Sequence, residues 1–268
     1  MTASCPTPAE ARPARHSPAA VVVAHPDDEA LWLSSAVGSA ERVIFCFGAF
    51  FDRPRMTEAR RQAVTALPLT SVVDLAIPES GAGSRIEGIP SQPTTDSIRI
   101  SDAAARARYE SNYERLLAAL RTSLTGIEDV YTHNPWGEYG HPEHIQVYRA
   151  VAALQEELEF TLWFSNYVSS TTWPLARALG RRLRAAERRV VRPDLAVVRR
   201  LERIYRQHGA WTWNWAHRWP AHEAIYALAP AADLRPLRPE SEEWLLDVGR
   251  LRWWSPLRPF ARRRLRDS

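Results

Sequence analysis

Lysine is absent from this 268-residue sequence, so all 35 of its basic side chains are arginine. Cysteine is almost absent. The two that occur, Cys5 and Cys46, sit in a Pro/Ala-rich leader and in an apolar, strand-like run, which argues against a disulfide framework and for a reducing compartment. No apolar run approaches the length of a membrane span. The first twenty residues carry Pro6, Pro8, Pro13 and Pro18 among Glu10, Arg12 and Arg15, without an apolar core of signal-peptide length. The expectation is a cytoplasmic protein with no membrane span. Internal repeats, a Walker sequence and a glycine-rich dinucleotide fingerprint are missing as well.

What is present suits an enzyme domain. At 45% hydrophobic residues the chain can bury a sizeable core. The net charge of +4 raises the question of an acidic partner, and the densest basic run is "RALGRRLRAAERRVVRPDLAVVRR" at 177–200. Leu179, Leu183, Ala186 and Val190 recur there at helical spacing, which predicts an amphipathic helix with a solvated basic face rather than a nucleic-acid surface. The terminal "ARRRLRDS" reads as a basic tail.

Hydrophobic periodicity predicts strand 19–24, helix 28–40, strand 42–47, helix 55–67 and strand 71–77. A Gly/Ser/Pro-rich loop over 78–101 has the length of a lid or binding loop. Helix 102–123, strand 127–132 and helix 142–156 follow, then a strand-like "FTLWFSNYVS", the basic helix, a helix over 194–208 and a tryptophan-rich end. The alternation is that of an α/β fold with a doubly wound, mostly parallel, Rossmann-like sheet, helices on both faces and a tryptophan-rich C-terminal extension. Residues 1–17 read as a disordered leader and 18–160 as the α/β core. Residues 161–268 read as the part that completes the same domain.

Two stretches concentrate metal-ligand chemistry. In "VVVAHPDDEALW" (21–32), His25 ends a buried strand and is followed by Pro26, Asp27, Asp28 and Glu29. Pro and three acids also suit a helix start, where the dipole favours negative charge, so capping alone explains the carboxylates. It does not explain a histidine at a strand's carboxyl end, where ligand sites of open α/β sheets gather. A second cluster, "THNPWGEYGHPEH" (132–144), sets His141 and His144 three residues apart around a helix start at Pro142. Imidazole and carboxylate are the usual donors for a divalent ion.

"AHPDDE" followed about a hundred positions later by "GHPEH" resembles the PIG-L or LmbE-like family of zinc-dependent N-deacetylases, over residues 19 to about 150. The resemblance implies a hydrolase that removes an N-acetyl group from an amino sugar or its conjugate. It implies zinc as cofactor, with ferrous iron or another divalent metal able to replace it. His25, Asp28 and His144 would bind the metal. Asp27 would be the general base on the activated water. His141 would stabilise the oxyanion or protonate the leaving amine, with Tyr139 helping at the carbonyl oxygen. Glu143 would orient His141, and Glu29 would cap the helix or support the site from behind. Arg55, with Glu58, matches the family's intermediate helix opening, and Arg55 and Asn134 are the expected substrate contacts. Departures lie in "CFGAFFDRP" and around "YRQHGAWTWNW", where the family's polar turn and late Ser-Gln feature are not evident. An amidase acting on a larger acyl or thiol conjugate, and a non-catalytic arginine-rich binding protein on this fold, are the alternatives. The expected partner is a small N-acetylated amino-sugar substrate, with no nucleic acid, and assembly into a homo-oligomer is left open.

His133 reads either as a group supporting the metal ligands from behind or as a loop histidine satisfied by backbone, and His208, His217 and His222 form no recognised metal spacing and read as structural. Trp211, Trp213 and Trp215 alternate in "WTWNW". They either pack into the core or form a stacking surface at the mouth of the site.

Overall fold

A computed structural model describes residues 17–84, 99–180, 184–185, 187–214, 216–228, 235–236 and 246–247. The expected leader, most of the 78–101 loop, Trp215 and the basic tail lie outside them. The elements run β1 (Ala19–Val23), α1 (Asp28–Trp32), β2 (Arg42–Phe45), α2 (Pro54–Thr65), β3 (Val72–Asp74), α3 (Ala103–Ser123), β4 (Asp129–Thr132) and α4 (Pro142–Leu158). There follow β5 (Thr161–Ser165), β6 (Tyr167–Val168), α5 (Trp173–Gly180), β7 (Arg184–Ala185), β8 (Glu187–Val191), α6 (Leu195–Gln207) and β9 (Glu223–Leu228).

Seven strands form one mixed sheet in the order β3-β2-β1-β4-β5-β9-β8. The first five are parallel, whereas β9 runs antiparallel to both β5 and β8. The chain winds outward from β1 through β2 to β3, then returns to place β4 on the other side of β1. That reversal opens a crevice at the carboxyl ends of β1 and β4, the place where such sheets bind ligands.

β1 is apolar on consecutive residues because it is central and covered on both faces. Ala20, Val22 and Ala24 join a core with Leu116, Leu120, Val147, Val151 and Leu154 of α3 and α4. Val21 and Val23 join a second core with Leu31 and Trp32 of α1, Ala63 and Val64 of α2, and Val198, Leu201 and Tyr205 of α6. Asp102 caps α3, its Oδ1 accepting from Ala105 N at 2.7 Å, and Asp194 caps α6 through Val197 N at 3.1 Å. Among the described residues no helix is long and apolar enough to cross a membrane.

Two predicted helices are corrected. The helix expected over 28–40 stops at Trp32, because Ser34 Oγ and Ser35 N donate to the buried carboxylate of Glu223 and draw the chain out of the helix. The basic helix expected over 177–200 is split among α5, the strand β8 and the start of α6. Residues 187–191 pair antiparallel with β9, and this long-range pairing outweighs the helical spacing. Val190, expected on the buried stripe, is 54% exposed. Leu183 and Ala186 lie outside the described side chains.

Candidate metal centre

His25 follows β1 after one residue, Ala24, and His133 follows β4 directly. Ala24 N donates to His133 Nε2 at 2.9 Å, which stitches the two strand ends together. Asp28 folds back so that its Oδ2 accepts from His25 N at 2.8 Å, while Trp32 Nε1 donates to its Oδ1 at 2.8 Å. The turn between them sets Asp27 at φ 103°, left-handed backbone that a non-glycine residue adopts only when its surroundings compel it.

The hydrogen bonds fix which nitrogens have a lone pair to give. His133 Nε2 accepts from Ala24, so its proton is on Nδ1, 3.1 Å from Glu138 Oε2. His144 Nδ1 also meets Glu138 Oε2, at 2.6 Å, which turns the lone pair of Nε2 inward. Glu138 reaches both rings from a buried position at φ 52°, and its Oε1 accepts from Asn134 N. His25 Nε2 lies 2.9 Å from Glu143 Oε2, so an Nε2 proton donated there leaves Nδ1 free to coordinate.

Two imidazole nitrogens thus flank one carboxylate oxygen. Asp28 Oδ2 is 3.1 Å from His25 Nδ1 and 3.3 Å from His144 Nε2. Donors held about 2.0–2.2 Å from a tetrahedral zinc lie roughly 3.3–3.5 Å apart. The buried His144 Nε2 and His141 Nδ1 have no hydrogen-bond partner among the described residues, as expected of atoms awaiting an ion or substrate. Two groups share His144, namely His25 with His141 and His144, and Asp28 with His133 and His144; within each group the donor atoms lie within 4.8 Å of one another. The residues present fit a divalent ion. His25 and His144 each also have a carboxylate behind the ring, the arrangement that fixes tautomer and ring orientation at metal sites.

The adjacent acids are electrostatically unlike. Burial pushes Asp27 up to about 7, helped by the Asp28 charge, and Thr212 N and Oγ1 partly offset this by donating to Asp27 Oδ2 at 2.8 and 2.7 Å. Burial opposes ionisation of Asp28 too, yet His144, His133 and His25 hold it well below the usual carboxylate range. Burial, reinforced by His144 and His25, presses His141 well below the ordinary imidazole value, which favours its neutral form.

The expected residues fare unevenly. His25, Asp27, Asp28, His141 and His144 are brought together, and Tyr139 flanks them, its ring centroid 5.8 Å from His141 and 5.4 Å from His144. Glu143 is turned away from the expected contact with His141: it receives Ser80 N and Oγ as well as His25. Glu29 accepts from Asp27 N and from Tyr205 Oη. Asn134 is fully engaged as a loop clamp, donating from Nδ2 to Ser165 O and Tyr167 O and accepting from Glu138 N. Arg55 stands exposed on the first turn of α2, and Glu58 pairs with Arg61 and Gln62. The arginine that α2 buries is Arg60, 2.6 Å from Glu79, which in turn lies 3.7 Å from His25.

Glu138, Glu79, Arg60, Thr212 and Tyr205 were missed. Only Glu138 carried a signal, an acid inside the second histidine loop. The start of the predicted lid loop does reach the site, since a Cβ on Gly83 would come 2.9 Å from His141 Nε2.

No family model matches the chain, and no curated protein matches it. Among solved structures it is similar to the zinc-inhibited form of teicoplanin deacetylase Orf2, with 10% identity and a TM-score of 0.51, over 80% of this chain and 99% of that one. It is also similar to a deacetylase–teicoplanin complex from the biosynthesis pathway of teicoplanin, with 9% identity and a TM-score of 0.52, over 80% and 100%. The fold is shared with teicoplanin deacetylase. It is the α/β fold that the two motifs led us to expect.

Proposed function

We propose that this chain is a metal-dependent N-deacetylase that hydrolyses the acetamide of an amino sugar or amino-sugar conjugate. The observation that carries this reading is the convergence of Asp28 Oδ2 on two imidazoles whose remaining nitrogens are each backed by a buried carboxylate. His25, Asp28 and His144 would hold the ion. A divalent metal supplies Lewis acidity toward the amide carbonyl and makes water more acidic near neutral pH.

The remaining chemistry belongs to the side chains. Asp27, fixed by Thr212 and with its pKa raised toward neutrality, accepts the proton of the attacking water. A C–O bond forms at the amide carbon, and the charge that develops on the carbonyl oxygen is met by an N–H of neutral His141 and by Tyr139. When the C–N bond breaks, the departing nitrogen takes up the proton that Asp27 received, so a free amine and acetic acid leave, and the acid gives its remaining proton to solvent. Glu138 and Glu143 keep the two ligand rings in one tautomer throughout.

The solved deacetylases that share the fold support the reaction class. Metal analysis of the purified chain, paired with free-amine release from a panel of N-acetylated sugars, tests the reading. About one divalent ion per chain and amine release from at least one sugar are expected. A chain that retains no divalent ion and releases no amine with zinc, iron or manganese added would sink it.

A further inference from the structure

His141 differs from the two imidazoles it stands beside. His25 and His144 each face a carboxylate, Glu143 at 2.9 Å and Glu138 at 2.6 Å. The buried His141 Nδ1 has no hydrogen-bond partner among the described residues. A ring that no acceptor orients has to be held by contact, because an imidazole free to turn about its side-chain bonds loses the alignment a reaction requires.

The contact comes from a residue with no side chain. Gly83 sits in the short turn Ala82–Ser84, and a Cβ built on it would lie 2.9 Å from His141 Nε2 and 3.5 Å from Cε1. Non-bonded heavy atoms settle at roughly 3.5–4.0 Å, so any side chain at position 83 would displace the ring. The same ring adjoins His144 at 4.7 Å, His25 at 4.8 Å and Tyr139 at 5.8 Å between centroids. It therefore touches both the turn and the imidazoles of the candidate centre.

The turn is itself anchored. From α3, Asn112 Nδ2 donates to Pro78 O at 2.8 Å and Arg108 Nε to Ser80 O at 2.9 Å. Ser80 N and Oγ donate to Glu143 Oε1 at 2.6 and 2.8 Å, and Glu143 Oε2 is the atom that faces His25. Ala82 is buried in a small core with Ile100, Ala105, Tyr109 and Ile145. Tyr109 Oη also donates at 3.0 Å to the carbonyl of Pro142, the residue after His141. Helix α3 thus grips the turn that bears Gly83 and the neighbour of His141, while Glu143 ties that turn to a candidate metal ligand. These bonds fix where Gly83 stands relative to the centre, and Gly83 passes that placement on to His141.

We propose that Gly83 is the positioning residue of His141: its bare Cα lets the anchored turn lie against the ring and hold it toward the amide carbonyl, without committing the ring N–H to a fixed acceptor. That N–H stays available to the oxygen on which charge develops. The inference rests on the proposed hydrolysis, which gives His141 this task.

Gly83→Ala in the full chain tests it, with the phenyl glycoside of N-acetylglucosamine as substrate. A ring displaced by a fraction of an ångström to an ångström should lower kcat about tenfold to a hundredfold, with KM and metal content unchanged within about twofold. Placed on His141→Ala, the same substitution should change kcat by less than about twofold, since the ring it displaces is gone. Tyr109→Phe keeps the packing and drops only the bond to Pro142 O. It should give a smaller loss, roughly threefold to tenfold, that likewise vanishes without His141. A readout free of turnover comes from the metal-loaded protein labelled with carbon-13 at histidine Cε1, in which the signal missing from His141→Ala belongs to His141. That signal should move in Gly83→Ala while those of His25 and His144 stay. Full turnover in Gly83→Ala, an unmoved His141 signal, or an equal loss with and without His141 would overturn the proposal and leave the deacetylase reading standing. A moved signal in a protein whose parent chain hydrolyses no N-acetylated sugar would keep the contact but overturn its place in a deacetylase.

Discussion

The parallel half of the sheet and the antiparallel half contribute to the candidate site in different ways. β1 and β4 deliver His25, Asp27, Asp28, His133, His141 and His144 from the loops and first helical turns at their own carboxyl ends, within motifs that are continuous in sequence. Among the described residues, the part built around β8, α6 and β9 adds no group to the donor cluster. Instead it holds that cluster: Thr212 clamps Asp27, Tyr205 bonds Glu29, Trp219 Nε1 donates to Ala30 O, and Glu223 receives Ser34 and Tyr167. The first half supplies the chemistry, and the second supplies position and a surface for whatever lies beyond the reacting amide.

Substitutions can break this division or sharpen it. The largest effect should come from the adjacent acids of the first half. Asp28→Ala should empty the centre and abolish activity, whereas Asp27→Asn should keep the ion and lower kcat about 10²–10⁴-fold. Metal analysis beside steady-state rates separates the two, and equal metal loss in both variants would end the assignment. His141→Ala belongs with the second class, metal present and turnover weak.

Thr212→Val asks whether the second half positions the base. Losing one of two donors onto Asp27 Oδ2 should cost about tenfold in kcat. The sign of the accompanying pH shift follows from the bonds: both Thr212 contacts lower the Asp27 pKa, so their weakening raises it. The base works ionised, and the acid limb of the rate profile, set near pH 7, should therefore move to higher pH. A lower rate with an unmoved limb would make Thr212 merely structural.

Trp213→Ala comes next. The ring is partly exposed and meets Trp32 and Tyr139, each at 5.1 Å. Stability should fall by about 2 kcal/mol, less than the 3–5 kcal/mol typical of fully buried aromatics. KM should rise for a glycoside with a large aglycone and stay level for a small N-acetyl test compound. Unchanged kinetics on both would confine Trp213 to packing.

The smallest effect concerns His217. Its folded pKa, about 4, lies below the ordinary value of 6.5, so the stability it contributes is complete above pH 6.5 and is lost as pH falls toward 4. By pH 6 this should amount to about 1 kcal/mol. Denaturant titrations of His217→Phe should lack that increment, and an identical pH slope in both proteins would contradict it.

Much of this was legible, for reasons that follow the same division. The apolar run 19–24 marked a strand covered on both faces, and histidines placed just after strands marked the crevice. The helices expected over 102–123 and 194–208 start where Asp102 and Asp194 cap α3 and α6. What stayed hidden depends on partners distant in sequence. Nothing local distinguishes Glu223 from any strand acid, yet it ends α1 early by capturing Ser34 and Ser35 from nearly two hundred residues away. Val190 and its neighbours have helical spacing, and only β9 makes them a strand. Thr212 stands between two tryptophans, and nothing local marks the hydroxyl that touches Asp27. Arg55 fits the pattern of a family helix and Arg60 does not, and burial rather than spacing tells them apart.

The left-handed backbone at Asp27 sets two demands on one position against each other. An L-residue held there bears a conformational cost of order 1–3 kcal/mol, which glycine would largely escape. Folding alone would thus favour a glycine at this position over any side chain, and Asp27→Gly should be more stable than Asp27→Ala. An acid is retained at that φ only while the carboxylate is in use. Were the activity to become dispensable, this position offers the chain its shortest route to a sturdier but inert protein.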